Sequence, residues 1–307
     1  MGVAVRFDTY GDLRGLHVVH EATREPGANE VRVRAEVLGV NPVDWKIVLG
    51  YFREHSNLAL PAVPGNEGAG AVSAVGSDVT EWRVGDPVVW SSPTGSYRSE
   101  LVIPSSALVR RPESLSAEEG AVLPVAAGTA FAGLSQIGCA PEDVLLVHGG
   151  AGGVGLAVIQ IARHWGARVI ATASEANHDA LRALGAEPVT YGPGLASRVR
   201  ALARPTAVFD AAGGEDNVAA TLDLVDDLNR VVSAVPDAFT TAAGVPLVVH
   251  RSDELAAVVE LAAAGHVKLP ITARFDLDSA AEALELSRTG HVRGKIVLVV
   301  GESDHSR

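Results

Sequence analysis

The chain has 307 residues, 47% hydrophobic and 20% charged, a balance that excludes a disordered chain and a length that points to two domains. A net charge of -12 and an aromatic content of 5% oppose phosphate attraction and base stacking, so nucleic acid is not expected as a partner. The best candidate for a membrane span, AVLPVAAGTAFAGL at 121–134, falls short of the roughly 20 apolar residues required and is broken by Pro124 and two glycines.

At the N-terminus, MGVAVRFDTYGD carries no basic leader ahead of an apolar block. Arg6 stands where myristoylation needs Ser or Thr, so a cytoplasmic address is the expectation. Cys139, the one cysteine, closes no intrachain disulfide and supports no cysteine-rich zinc site.

In chain order, residues 1 to about 115 read as mostly β. VRVRAEVLGV at 31–40 alternates apolar with polar residues, the mark of a strand with one buried face, and GAGAVSAVG and GDPVVW supply two more. At Ser116 the pattern changes. SAEE places Ser116 at an N-cap and Glu119 three positions later, ahead of an Ala-rich apolar stretch, and this shift marks a domain boundary.

From 144 to about 250, β-branched runs at 144–148, 168–173, 207–212, 230–235 and 245–250 are separated by helical spacings such as LAVIQIARHW and HDALRAL. That order predicts a parallel sheet with crossover helices. After the helix DELAAVVELAAAG, the segments ITARFDL, a helix at 279–288 and KIVLVV at 295–300 depart from the alternation, and their expected course is back onto the first domain. The predicted boundaries are 1–117 with 268–307 for the first domain and 118–267 for the second.

Gly150, Gly152 and Gly155 satisfy GxGxxG directly after the strand at 144–148 and directly before a helix. Glycine serves such a turn through its backbone angles, through close approach of amides to a pyrophosphate, and through tight packing of helix on strand. The anion then sits on the unpaired amides of a helix N-terminus, here over Gly150, Gly152, Gly153, Val154 and Gly155. Coenzyme choice falls at the end of the second strand, where a carboxylate would hold the ribose of NAD. Ala173 occupies that position and Ser174 follows, with Asn177 nearby, so NADPH is favoured over NADH. Glu175 leaves two readings open: facing water, or turned to the ribose and restoring NAD.

GVNPVDWK at 39–46, VPGNEGAGAVSAVGSDVTEWRVGDPV at 63–88, LPVAAGTAF at 123–131, HGGAGGVG at 148–155, TASEANHDALRALGA at 172–186 and HVRGKIVL at 291–298 together resemble the zinc-free quinone oxidoreductase branch of the medium-chain dehydrogenase/reductase superfamily. The resemblance implies an α/β fold: a GroES-like β-rich catalytic domain from both chain ends and a central Rossmann domain with a doubly wound parallel sheet. It further implies a cleft between them and, in many members, a homodimer. Zinc-dependent members carry Cys where this chain has Asn41 and His where it has Asn66. Amides are poor zinc ligands, so no zinc is expected.

Without a Lewis acid, a hydride acceptor activated by conjugation is expected: a quinone or an activated alkene. The resemblance also implies that Asn41 and Thr129 line the nicotinamide pocket and that Lys295 approaches the cofactor. Asn41 would orient the carboxamide or donate to the acceptor oxygen, against the alternative of an Asn serving a turn before Pro42. Thr129 reads equally as a packed helical residue, and Lys295 as a solvated surface lysine.

Enoyl reductases of the superfamily place a proton-donating Tyr eleven residues after the motif Asn. Here that offset gives Phe52, with Tyr51 one residue early, and both join Asn41 and Asn66 as candidates for the substrate pocket. The relatives' Arg between Ser and Asn of the TAS..N segment is Ala176 here. The competing readings are an enoyl-thioester or alkenal reductase and, in another class, a cofactor-gated binding protein with little turnover.

Overall fold

The computed structural model describes residues 2–54, 58–92, 94–290 and 292–301, so His291 of the HVRGKIVL segment lies outside the described residues. The chain divides into two compact units, residues 1–125 with 270–307, and residues 126–269.

The first unit is built on a seven-stranded sheet. Its long strand Glu30–Val40 buries Val31, Val33 and Ala35 on one face while Arg32 and Arg34 turn outward, the alternation expected from the sequence, and an irregularity in the ladder between Ala35 and Val37 brings Leu38 and Val40 into the same core. Glu67–Val75 pairs antiparallel with it, Pro87–Ser91 pairs with Glu67–Val75, and Leu108–Arg110 follows on the outer edge. Glu100–Pro104 pairs with the first half of Glu30–Val40, and Lys295–Val299 with its second half. Ile271–Asp276 runs parallel to Lys295–Val299, so the C-terminal segment returns to the first unit. Trp90, Tyr97 and Leu298 are fully buried in this core.

Ser116 caps the helix Ala117–Ala121 through the reciprocal pair Glu119 N to Ser116 Oγ (3.2 Å) and Ser116 N to Glu119 Oε2 (3.0 Å). This short helix packs on the strands Glu30–Val40 and Glu67–Val75. The division between units therefore falls inside the next helix, Leu123–Gln136, and not at the cap where the composition shifts.

In the second unit, five parallel strands lie in the order Glu187–Val189, Arg168–Thr172, Val144–His148, Ala207–Asp210, Val231–Ser233. Leu145, Leu146, Val147, Ile170, Val208 and Phe209 are fully buried, as expected of parallel strands covered on both faces. The strand expected at 245–250 is absent as a ladder and consists of a single bridge between Ser233 and Leu247. Pro246 has no N–H to give, and the Gln136 side chain takes the next bonds, donating to the Leu247 carbonyl (3.0 Å) and accepting from Val249 N (2.9 Å). Among the described residues, no helix is long and apolar enough to cross a membrane.

Candidate active site

Two clusters carry the chemistry, one in each unit. In the second unit, the strand Val144–His148 ends in a turn whose left-handed residue is Gly149 (φ +74°). This is one position before the GxGxxG spacing begins. Gly149 N donates to Thr172 Oγ1 (3.0 Å) and Gly150 N to the Thr172 carbonyl (2.9 Å), which ties the turn to the second strand.

The three spaced glycines differ in what a side chain would meet. A Cβ at 150 would lie 2.9 Å from Ala171 Cβ, and one at 155 would lie 2.2 Å from the Gly149 carbonyl oxygen. Those two glycines pack helix and turn together. At 152 the nearest atom is 3.6 Å away, so a Cβ at this N-cap would make only an ordinary contact. The helix Gly153–His164 makes its first backbone bond from Leu156 N to the Gly152 carbonyl (2.9 Å), leaving the amides of 153–155 ahead of it without an acceptor within the helix. An open cradle over first-turn amides fits a dinucleotide pyrophosphate.

At the second strand's end, Ala173 is buried and bonded to Val189, while Glu175 is exposed in the single turn Glu175–Asn177. Asn177 Nδ2 donates to Ser174 Oγ (3.1 Å), so these two side chains form one neutral polar pair. Thr129 is buried in the helix Leu123–Gln136.

At the C-terminal ends of the central strands, His148 is fully buried. Its Nε2 bonds Thr221 Oγ1 (3.0 Å), its Nδ1 has no partner, and burial pushes its pKa down to about 4 against the pull of Asp210. Asp210 accepts from Ala212 N (3.0 Å), Gly213 N (2.8 Å) and Ser233 Oγ (2.8 Å), fixing the turn after its strand.

In the first unit, Asn41 caps the helix Pro42–Val48 with Pro42 at its first position, but its side chain makes no cap hydrogen bond. It turns instead to Glu67 and Lys295. Asn41 Nδ2 donates to Glu67 Oε1 (2.7 Å), Lys295 Nζ donates to the same oxygen (2.9 Å) and also to Asn41 Oδ1, and Val125 N donates to Glu67 Oε2 (2.7 Å). Asn41, Glu67 and Lys295 are 3%, 0% and 3% exposed, so the reading of Lys295 as a solvated lysine is overturned. An ammonium at the head of an apolar strand is buried here because a buried carboxylate meets it.

Asp44 extends this cluster. Its Oδ2 accepts from Asn41 N (2.8 Å) and Tyr97 OH (3.0 Å), while Oδ1 is buried without a partner. Desolvation is the main cause that pushes the Asp44 carboxyl up to about 7; the Asn41 N–H and Tyr97 hydroxyl oppose it and the Glu67 charge adds to it. Burial, with the Asp44 carboxylate beside it, pushes the Tyr97 phenol well above its ordinary value. Glu67, Asp44 and Tyr97 were missed as site residues. The available signal was a Glu heading an otherwise small and apolar strand, in GNEGAGAV.

Asn66 is turned differently from Glu67: its Nδ2 donates to the Ser92 carbonyl (3.2 Å). Tyr51 is 66% exposed and packs edge-on against Trp45 at 5.7 Å, and Phe52 beside it is half-buried. The donor set does not suit a catalytic zinc ion: positions 41 and 66 hold amides and Glu67 is committed to Lys295. Among the described residues, no three His, Cys, Asp or Glu side chains converge on one point.

A family model for the alcohol dehydrogenase GroES-like domain matches residues 27–113, and one for zinc-binding dehydrogenase matches residues 184–298. The chain is 31% identical, over 96% of its length, to the chloroplast envelope quinone oxidoreductase homolog of Arabidopsis thaliana, of which it covers 97%. Among solved structures, the quinone oxidoreductase from Coxiella burnetii superposes with a TM-score of 0.86 at 30% identity, over 98% of this chain and 100% of that one. The CurK enoyl reductase superposes with a TM-score of 0.86 at 25% identity, over 98% and 99%. The β-rich unit is thus GroES-like and the parallel-sheet unit Rossmann-like, and the chain belongs to the medium-chain dehydrogenase/reductase superfamily, in the quinone oxidoreductase branch of these NAD(P)-binding oxidoreductases.

Proposed function

We propose that the chain is an NADPH-dependent, zinc-independent oxidoreductase that transfers hydride to a quinone or a similar conjugated carbonyl. The observation that carries this reading is the Asn41 amide held between Glu67 and Lys295, a hydrogen-bonding group in the place where zinc-dependent relatives put a metal ligand. Conjugation spreads the charge that a metal would otherwise neutralise, so such an acceptor suits a site that offers the Asn41 amide N–H in place of a metal.

The coenzyme, when bound, supplies the hydride. Gly152 would leave room for its pyrophosphate, the amides of 153–155 would hold that group, and Ser174 with Asn177 would meet the ribose 2'-phosphate as a neutral polar pair. Asn41 positions the acceptor in the first unit. A hydroquinone anion is basic enough to take its proton from water, so no protein acid is needed.

The test is to mix the protein with NADPH and a panel of quinones and follow the nicotinamide absorbance, with metal analysis of the same sample. Oxidation of NADPH by metal-free protein is the expected result; stoichiometric zinc, or activity abolished by a chelator, would overturn the zinc-independent mechanism.

A second reading, reduction of a C=C bond, is favoured by the likeness to the CurK enoyl reductase and by an exposed phenol, Tyr51, ten positions after Asn41 in the sequence. Product analysis separates them: a hydroquinone from a quinone, or a saturated bond from an enoyl thioester or alkenal.

A further inference from the structure

We infer that Glu67 and Lys295 are positioning residues that lock the Asn41 amide in one orientation, fixing its remaining N–H for donation to the reacting partner. The inference rests on the proposed role of Asn41 and replaces the expectation that Lys295 contacts the cofactor.

The orientation is fixed by the chemistry of the two neighbours. An ammonium has only donors and a carboxylate only acceptors, so Oδ1 must face Lys295 and Nδ2 must face Glu67. Rotating the amide by half a turn would set N–H against N–H and oxygen against oxygen inside a buried site. Glu67 is itself held, because its Oε1 takes both Asn41 and Lys295 while Oε2 takes Val125 N at 2.7 Å. The backbone below is held too, by Asn41 N on Asp44 Oδ2.

Among the described residues, the second N–H of Nδ2 is then the one donor of the Asn41 side chain that remains uncommitted. A carbonyl or quinone oxygen gains negative charge as hydride arrives, and a fixed donor at that oxygen stabilises the charge without reorganising. The lock thus favours acceptors that present an oxygen to the fixed N–H.

Glu67→Gln keeps the size of the side chain, Lys295→Met keeps its length without charge, and Lys295→Arg keeps a cation. The first measurement needs no substrate: the Asn41 side-chain amide, identified by its loss in Asn41→Ala, is observed by 1H–15N NMR. In the wild type, its two protons should be widely separated, with the carboxylate-bonded one downfield; Glu67→Gln should narrow that separation. The second measurement is kinetic. Glu67→Gln and Lys295→Met should lower kcat/KM for quinones by about 10- to 100-fold, the range of one charge-assisted hydrogen bond. NADPH Kd by calorimetry should move less than about threefold, and Lys295→Arg should recover part of the kcat/KM loss. An amide signal unchanged in both Glu67→Gln and Lys295→Met would overturn the lock, as would a tenfold loss of NADPH affinity in Lys295→Met with quinone turnover unaffected. Absence of quinone reduction in the wild type would sink the proposed function, while the amide signal would still report on the lock.

Discussion

Glu67 passes directly over Gly39 on the neighbouring strand, so closely that a Cβ at position 39 would lie 2.0 Å from Glu67 Oε1. The positions are one step beyond the Leu38–Gly68 pair of the antiparallel ladder. Gly39 is therefore the floor of the buried cluster, and its lack of a side chain is what lets a carboxylate reach Asn41 and Lys295.

Gly39→Ala should expel the Glu67 carboxylate and leave Lys295 buried without its partner. Breaking a buried ion pair in this way costs about 3–5 kcal/mol. Urea denaturation should show a loss of that order, and NADPH binding by the folded fraction should persist because the cradle lies in the other unit. A Gly39→Ala protein as stable as the wild type would show that Glu67 has another place to go.

Gly152→Val should fold and fail to bind NADPH. The nearest atom to a Cβ there is 3.6 Å away, an ordinary contact, so the turn accepts a Cβ and the branched side chain beyond it fills the space a pyrophosphate requires. Gly155→Val is the contrast, because its Cβ would meet the Gly149 carbonyl oxygen at 2.2 Å and the helix could not seat. Calorimetric titration with thermal melts checks both; unchanged NADPH affinity in a folded Gly152→Val protein would remove the cradle from this turn.

Ser174 should supply part of a preference for NADPH over NADH. One hydrogen bond to a charged phosphate is worth about 1.5–3 kcal/mol, so Ser174→Ala should reduce the NADPH to NADH ratio of kcat/KM by roughly tenfold to a hundredfold. Glu175 is exposed, and Glu175→Ala should leave the ratio nearly unchanged. A wild-type preference for NADH that Glu175→Ala reverses would place that carboxylate on the ribose.

The legible parts of the molecule were those written in local pattern. Period-two alternation marks Glu30–Val40, the Ser116–Glu119 pair marks a helix start, and a strand, a glycine turn and a helix in succession mark the cradle. The segment at 245–250 misled because its β-branched residues say nothing about the Gln136 amide that takes the ladder bonds. Asn41 was legible as a residue type in a motif, but its setting was not. Lys295 and Glu67 are 228 positions apart, and a lysine opening a strand looks solvated until a buried carboxylate is known to face it. Strand pairing between chain ends creates that meeting, and no local spacing encodes it.

Burial pushes the Asp44 carboxyl up to about 7 from its ordinary 3.8. Its folded value lies above its unfolded one, so between those values the native state holds a proton that the unfolded chain releases. Stability from this group is therefore fully present below about pH 3.8 and is lost as the pH rises through about 7. The proton has a natural seat on Oδ1, the oxygen without a partner, while Oδ2 keeps Asn41 N and Tyr97 OH. A shift of this size corresponds to about 4 kcal/mol. Asp44→Asn keeps the acceptor for both donors and never ionises, so it should be more stable than the wild type at pH 8 by up to that amount. At pH 4 the gap should shrink toward zero. Other titrating groups are common to both proteins and cancel in the difference between their urea denaturation free energies. A difference that stays constant from pH 4 to pH 8 would mean that Asp44 does not titrate in this range, and its orphaned oxygen would then require another occupant.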